Sequence, residues 1–479
     1  MSVPTASARR AFRATLVGTM VTSIGQGLTL PFLFVYLNEI LGVPLATAGF
    51  IVAGAAVLAL GASGLGGSLA DRLGLGRVAV LGLTLQAGGT LLLALAREPV
   101  LGVLGLVVMS AGNSLVWPSL NGLVTHQVPA EKRSQAFALR FGLMNVGVGI
   151  GSLVAAVSVS VGNPASFHTV YLLDGATTAV FAAILLVALR GTTGWGAHRA
   201  VQQPTTSSSY GAVFRDKAFV GYLAVLLTMA VFGSAQLEGP WASFVTTTSN
   251  TGHVIGLAFA ANTLVIIALQ LPVERLTRPL RRSNLLILCS LSWAAAWALT
   301  GLAASTLVPQ AATATLLVIA LGMFGLGETF LSPVINAMPN ALAPEHLRGR
   351  YNAMNSATYP VSRFIGPPLA GMLLGGGHPF LWVVFIAAGA VIAAGAAFIL
   401  GRRLPRHAEL PSISTPEPGA TAPASSTPAA DGTANDVPTA TSHPSPDHQL
   451  THRRSRFPCT LPLSSCPSSS PSRCSRTAP

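Results

Sequence analysis

The chain has 479 residues, of which 51% are hydrophobic and only 9% charged, and its mean hydropathy is +0.60. Soluble domains carry roughly 25% charged residues, so this composition excludes an ordinary water-exposed surface and points to lipid as the solvent. The net charge of +13 does not mark a nucleic-acid partner, because the cations are scattered between apolar runs and form no stripe.

Taken in chain order, the first apolar run follows Arg9, Arg10 and Arg13, as in a signal peptide. It continues too long and lacks a small-residue cleavage site, so it reads as a membrane span. Runs of about 20 apolar residues, each able to cross roughly 30 Å of hydrocarbon as a helix, recur after it. They fall at 14–37, 46–70, 77–96, 100–122, 137–160 and 167–189, then at 219–244, 253–274, 284–304, 312–336, 353–375 and 380–400. They do not alternate in polarity, which excludes a barrel. The expected fold is an all-α membrane protein of twelve transmembrane helices in two pseudo-symmetric six-helix bundles, 1–189 and 219–403. Residues 190–218, with the run QQPTTSSS, read as a linker, and 404–479 as a tail. From 407 onward Pro, Ser, Thr and Ala dominate, and too few large apolar side chains remain to offset the entropy of folding, so disorder is expected there.

Twelve spans put both termini on one side. Counted over the loops, that side carries 21 Lys and Arg, from Arg9 to Arg406 and including Arg140, against Arg97 alone opposite. Cations are retained in the cytoplasm, so both termini are expected there, with the chain in the plasma membrane. Of the four cysteines, only Cys289 lies in a span, and Cys459, Cys466 and Cys474 lie in the tail. Neither a disulfide framework nor zinc spacing follows. His168, His253 and His378 fall at outer span ends without ligand spacing, and no G-x-x-x-x-G-K-S loop is present, so neither a metal, a cofactor nor ATP is expected.

The halves repeat. GNSLVWPSLNGLVTHQVPAEKR, in the fourth span and its following loop, and GETFLSPVINAMPNALAPEHLR, in the tenth and its loop, align at a constant offset. Gly112 matches Gly327, Pro118 matches Pro333, Asn121 matches Asn336, Pro129 matches Pro344 and Arg133 matches Arg348. A weaker echo links GQGLTLPFLFVYL with AQLEGPWASFV. Parallel repeats place a substrate site between the halves near the midplane, with alternating access by rocking around it.

Between spans two and three lies GSLADRLGLGR, with Gly67, Asp71, Arg72, Gly74 and Arg77. This run resembles the signature loop of the major facilitator superfamily, G-x-L-A-D-R-x-G-R-K, except that Leu75 and Gly76 displace the last cation to Arg77. The resemblance covers residues 10–403 and implies that charged loop contacts of these residues lock one conformation. GQGLTLP and GLGETFLSP look like the twelve-helix drug:proton antiporter group. That group's fourth-span arginine motif falls at Val108, and Ser152 stands where its fifth-span proline is expected, so proton coupling would pass to other residues.

Ionisable side chains at membrane depth are costly, which makes Asp174, Glu238, Glu328 and Arg363 functional candidates. The resemblance implies that spans one, four, seven and ten line the cavity. Glu238 and Glu328 are therefore the leading substrate- and proton-binding groups, with Gln236, Gln26 and Asn113 adding hydrogen bonds. Arg363 is expected to pair with one of the carboxylates, and a permanent Glu328–Arg363 structural pair is the competing reading. Asp174 in span six reads as structural, and Asn262 as an interhelical hydrogen bonder. Phe32 and Trp241, beside the kink-forming Pro31 and Pro240, are the favoured aromatic lining. The expected activity is export of a small amphipathic compound in exchange for protons by a monomer that is not an enzyme. Nutrient uptake is the alternative, and a non-transporting sensor or scaffold is the alternative from another class.

Overall fold

A computed structural model describes residues 6–129, 132–190, 195, 210–248 and 252–410. Hydrocarbon offers no hydrogen bonds, so each apolar run satisfies its own backbone as a helix. The first half comprises α1 (Ala6–Thr29), α2 (Leu45–Leu73), α3 (Leu75–Leu95), α4 (Pro99–Gln127), α5 (Arg133–Ser158) and α6 (Pro164–Leu189). The second comprises α7 (Lys217–Phe232, then Ser234–Leu237 and Pro240–Thr248), α8 (Gly252–Thr277), α9 (Arg282–Ala303), α10 (Gln310–Leu342), α11 (Arg348–Gly375) and α12 (Pro379–Gly401). Among the described residues, 11 helices are long and apolar enough to cross a membrane. The twelfth, α11, has the length but carries Arg348, Arg350, Asn352, Asn355 and Arg363.

Side chains at the starts of helices take the orphan amides. Asn163 accepts from the Ala165 N–H ahead of α6, and Asp216 accepts from the Ala218 and Phe219 N–H groups of α7. Tyr351 of α11 donates to the other Asp216 oxygen at 2.9 Å. Burial and the Asp216 carboxylate push the Tyr351 phenol up to about 12, so it remains the donor at physiological pH.

The repeat survives in three dimensions. Gly112 seats α4 on the backbone of Gln86 in α3, and Gly327 seats α10 on Trp293 in α9. Pro118 and Pro333 lie inside α4 and α10. Between the halves, α2 packs on α11 and α5 on α8. Gly49 and Gly371 permit the first contact: a Cβ on Gly49 would sit 2.5 Å from the Pro367 carbonyl oxygen, and one on Gly371 2.3 Å from that of Leu45. Gly256 of α8 meets Ser152 and Ala156 of α5 in the same way. All three contacts lie toward the end whose loops contain Arg97, termed here the arginine-poor end.

The proline-bearing spans are both irregular. α1 tightens to a 3-10 turn at Leu30–Phe32 and widens to a π turn at Tyr36–Ile40. α7 breaks at Gly233 and again at Glu238–Gly239, where Gly239 has φ +112. The Phe34 ring of α1 fills the space beside Gly239, 2.6 Å from where a Cβ would stand.

Two expectations are corrected. Arg140, counted among loop cations, lies inside α5 and is 6% exposed. Its guanidinium donates to Asn121 Oδ1 at 2.6 Å and to Thr19 Oγ1 at 3.4 Å, and sits 5.1 Å above the Trp117 ring. Order also extends past 407: Arg406–Glu409 form a helical turn with Ala408 and Glu409 buried. Glu409 Oε2 accepts from the Ser283 N–H at 3.2 Å and its hydroxyl at 3.0 Å, capping α9 from the far end of the half, while Arg282 donates to the Ala408 carbonyl. Residues 411–479 and most of 190–218 lie outside the described residues.

Replacing Gly239 by Ala forces a side chain into a positive-φ position against Phe34. It should cost about 1–3 kcal/mol and lower the thermal unfolding midpoint of the purified protein in detergent. Glu409→Ala should cost about 0.5–2 kcal/mol, the scale of a lost helix cap, read in the same melt; a midpoint equal to wild type would show that the cap contributes nothing.

Candidate functional site

The break in α7 follows from its residues. Pro240 has no N–H and pushes the residue before it out of helical geometry, and Gly239 supplies the required φ. The earlier break at Gly233 frees the carbonyls of Val231 and Phe232 at membrane depth, and two side chains claim them. Gln236 Nε2 donates to Val231 O at 2.8 Å and to Gly366 O at 3.2 Å, and Trp297 Nε1 donates to Phe232 O at 2.9 Å. Gln236 Oε1 accepts from Trp382 Nε1 at 3.0 Å. Expected as a ligand group, Gln236 is instead 1% exposed and spent on holding the break between α11 and α12.

Glu238 occupies the second break, beside Gly239. Tyr359 of α11 donates to its Oε1 at 2.6 Å, and Arg363, one helical turn on, forms an ion pair with its Oε2. Arg363 also donates to the Tyr359 oxygen at 3.2 Å. The Arg363 and Glu238 side chains keep 24% and 19% of their surface open, and Tyr359 is 43% exposed. Charge facing lipid is costly, so this opening belongs to a polar space. Glu328, half-buried on α10, accepts from Asn262 Nδ2 of α8 at 3.0 Å, and Asn262 also donates to Leu321 O. Arg363 thus pairs with Glu238, and the competing Glu328–Arg363 pair does not form.

The remaining expectations separate. Gln26 on α1 and Asn113 on α4 are half-buried. Phe32 and Trp241, expected to line the cavity, are both 0% exposed core residues. Phe32 meets Phe167 edge-on, while Trp241 donates to Thr300 Oγ1 at 3.2 Å and meets Phe259. In the loop motif, Gly74 ends α2 with φ +97, Arg72 is exposed and Arg77 lies 5.8 Å from the Trp195 ring centre. The side chains at 67 and 71, hence the roles expected of Gly67 and Asp71, lie outside the described residues. Tyr359 went unread in the sequence, although its position four residues before Arg363 on one helix was a usable signal. No group of three metal-ligating side chains occurs among the described residues.

A model of the family described as Major Facilitator Superfamily matches residues 15–248 and 239–441. The chain belongs to the Major Facilitator Superfamily. It is a transporter and not an enzyme. Among superfamily relatives, it is 25% identical to a Na(+), Li(+), K(+)/H(+) antiporter of Planococcus maritimus, over 75% of this chain and 88% of that one. It is 30% identical to the quinolone resistance protein NorA of Staphylococcus aureus (strain MRSA252), over 28% of this chain and 36% of that protein. The fold is similar to that of a peptide transporter, POT (E310Q mutant), with a TM-score of 0.67, 16% identity and coverage of 83% of this chain and 95% of the other.

Removing one member of the charge pair leaves the other uncompensated. Arg363→Gln and Glu238→Gln should each lower the unfolding midpoint, and the double variant should recover part of the loss. Additive losses in this double-mutant cycle would show that the pair has no coupling energy.

Proposed function

We propose that this transporter exports a small amphipathic organic compound from the cytoplasm in exchange for protons, by alternating access between its halves. The observation that carries the reading is the placing of two unlike carboxylates in the second half: Glu238, paired with Arg363 at the break in α7, and Glu328, held by an amide. A broken helix near the midplane is where transporters of this architecture place substrate and coupling-ion sites. Arginine asymmetry supports a cytoplasmic arginine-rich end. The contacts of Gly49, Gly371 and Gly256 then hold the outer ends of the halves together.

In this reading a proton and a cationic or polarised substrate compete for the same carboxylates. A proton on Glu238 loosens Arg363, a proton on Glu328 leaves a neutral acid on Asn262, and departure of either restores a site for positive charge. The apolar surroundings and the small number of polar groups suit an amphipathic compound better than a sugar. The antiporter and quinolone-resistance relatives support exchange with protons and efflux, respectively. The Planococcus relative also favours a second reading, exchange of alkali cations for protons.

In inside-out vesicles, an imposed pH gradient should drive uptake of a lipophilic cation such as ethidium. Glu328→Gln and Glu238→Gln should each reduce it to the passive leak while leaving insertion intact. Unchanged pH-driven transport in both variants would sink the proposal, and proton release on adding Na+ or K+, with no movement of organic cations, would favour the second reading.

A further inference from the structure

Away from the α7 site, α6 carries a second carboxylate at membrane depth. Asp174 is 4% exposed. Thr29 of α1 donates to its Oδ2 at 2.7 Å, whereas Oδ1 has no hydrogen-bond partner. One turn toward the arginine-poor end, the Tyr171 hydroxyl also lacks a partner and the residue is 1% exposed. A buried acceptor and donor left unmade are each expensive, and two of them three residues apart on one helix face form a site that a mobile species completes. One more turn outward, His168 is half-buried, with Nδ1 2.5 Å from the Ala94 carbonyl oxygen. A carbonyl only accepts, so Nδ1 carries the proton and donates it to Ala94 O, which leaves Nε2 as the acceptor nitrogen.

The three groups stand about 6, 10 and 15 Å along α6 from its start at Pro164, by the 1.5 Å rise per residue. The elements packed around Asp174 supply no counter-charge among the described residues. α1 contributes the Thr29 hydroxyl and, farther out, Tyr36, whose phenol is committed to the Leu93 carbonyl at 2.6 Å. Toward α3, Gly175 meets Leu91, and on α6 itself Thr177 and Thr178 spend their hydroxyls elsewhere. Gly25 of α1 makes the space, since a Cβ there would stand 2.5 Å from Asp174 Oδ1. With no cation nearby, a bound proton is the species that neutralises the acid at this depth.

We propose that Asp174 is a proton-binding site in the first half of the transporter, exchanging with the arginine-poor side through Tyr171 and His168. Neither the Tyr171 hydroxyl nor Oδ1 has a hydrogen-bond partner, so the two are not in contact and a water between them carries each transfer. It gives a proton to Oδ1 and takes the Tyr171 hydroxyl proton, which is replaced from the His168 side, so water and phenol are unchanged and one proton moves inward; release runs in reverse. The site is separate from Glu238 and Glu328, and stands whether or not those carboxylates couple to export.

Infrared difference spectra of the full chain in lipid, recorded through pH steps and exchange into D2O, test this. A protonated-carboxyl stretch that titrates and exchanges should vanish in Asp174→Asn, shift in Thr29→Val, and remain in the Glu238→Gln/Glu328→Gln double variant. Tyr171→Phe should keep the band but slow its deuterium exchange severalfold. A band that persists at every pH without exchanging would overturn the proposal, as would one absent in wild type or one moved by Na+ at fixed pH. Should Asp174→Asn fail to insert, the Thr29→Val shift identifies the band and the Tyr171→Phe exchange rate decides.

Discussion

Hydrocarbon leaves no backbone group to water, and α7 is broken in the middle of it. The packing around α7 answers that constraint. The carbonyls of Val231 and Phe232 lose their helical donors, and Gln236 and Trp297 replace them. Because Gln236 reaches Gly366 on α11 and accepts from Trp382 on α12, mending the break also locks three helices together. The gap is then rigid enough to present Glu238 to Tyr359 and Arg363 in one geometry. The site is thus a by-product of a backbone defect repaired by an amide and an indole.

The halves share a scaffold but not a chemistry. Gly112 and Gly327 each bring their helix close to the preceding one, the first onto backbone and the second onto an indole, and Pro118 and Pro333 occupy equivalent places in their helices. Yet Asn113 stands where the second half has Glu328. α1 passes its proline with a 3-10 and a π turn, whereas α7 opens outright. A helix that only changes its pitch keeps nearly all its hydrogen bonds and needs no glutamine to rescue it. Here Gln26 remains half-buried, in contrast to the fully enclosed Gln236.

Much of the fold was legible because its physics is local. Length and hydropathy depend on residues near one another in the chain, and the repeat is read by comparing two short stretches of it. Pairing was not legible. Two carboxylates and one arginine admit two pairs, and only the positions of α7, α10 and α11 decide that Arg363 takes Glu238. Gln236 was recognised as polar at depth, but its use depends on carbonyls freed by a break that the sequence marks only as glycine and proline. Phe32 and Trp241 failed as cavity lining because an aromatic beside a kink has two faces to choose from, and both turned to the core. Arg140 was miscounted because a cation near a helix start looks like a loop residue until Asn121 and Trp117 close over it.

The turn at Arg406–Glu409 bears on how the molecule is made. Its carboxylate caps α9 at Ser283, a partner 126 residues earlier in the chain. During synthesis the Ser283 amide of α9 therefore lacks this cap until α12 has followed and Glu409 has left the ribosome. The second half thus closes from its own end, its last turn capping a helix that entered the membrane three spans before.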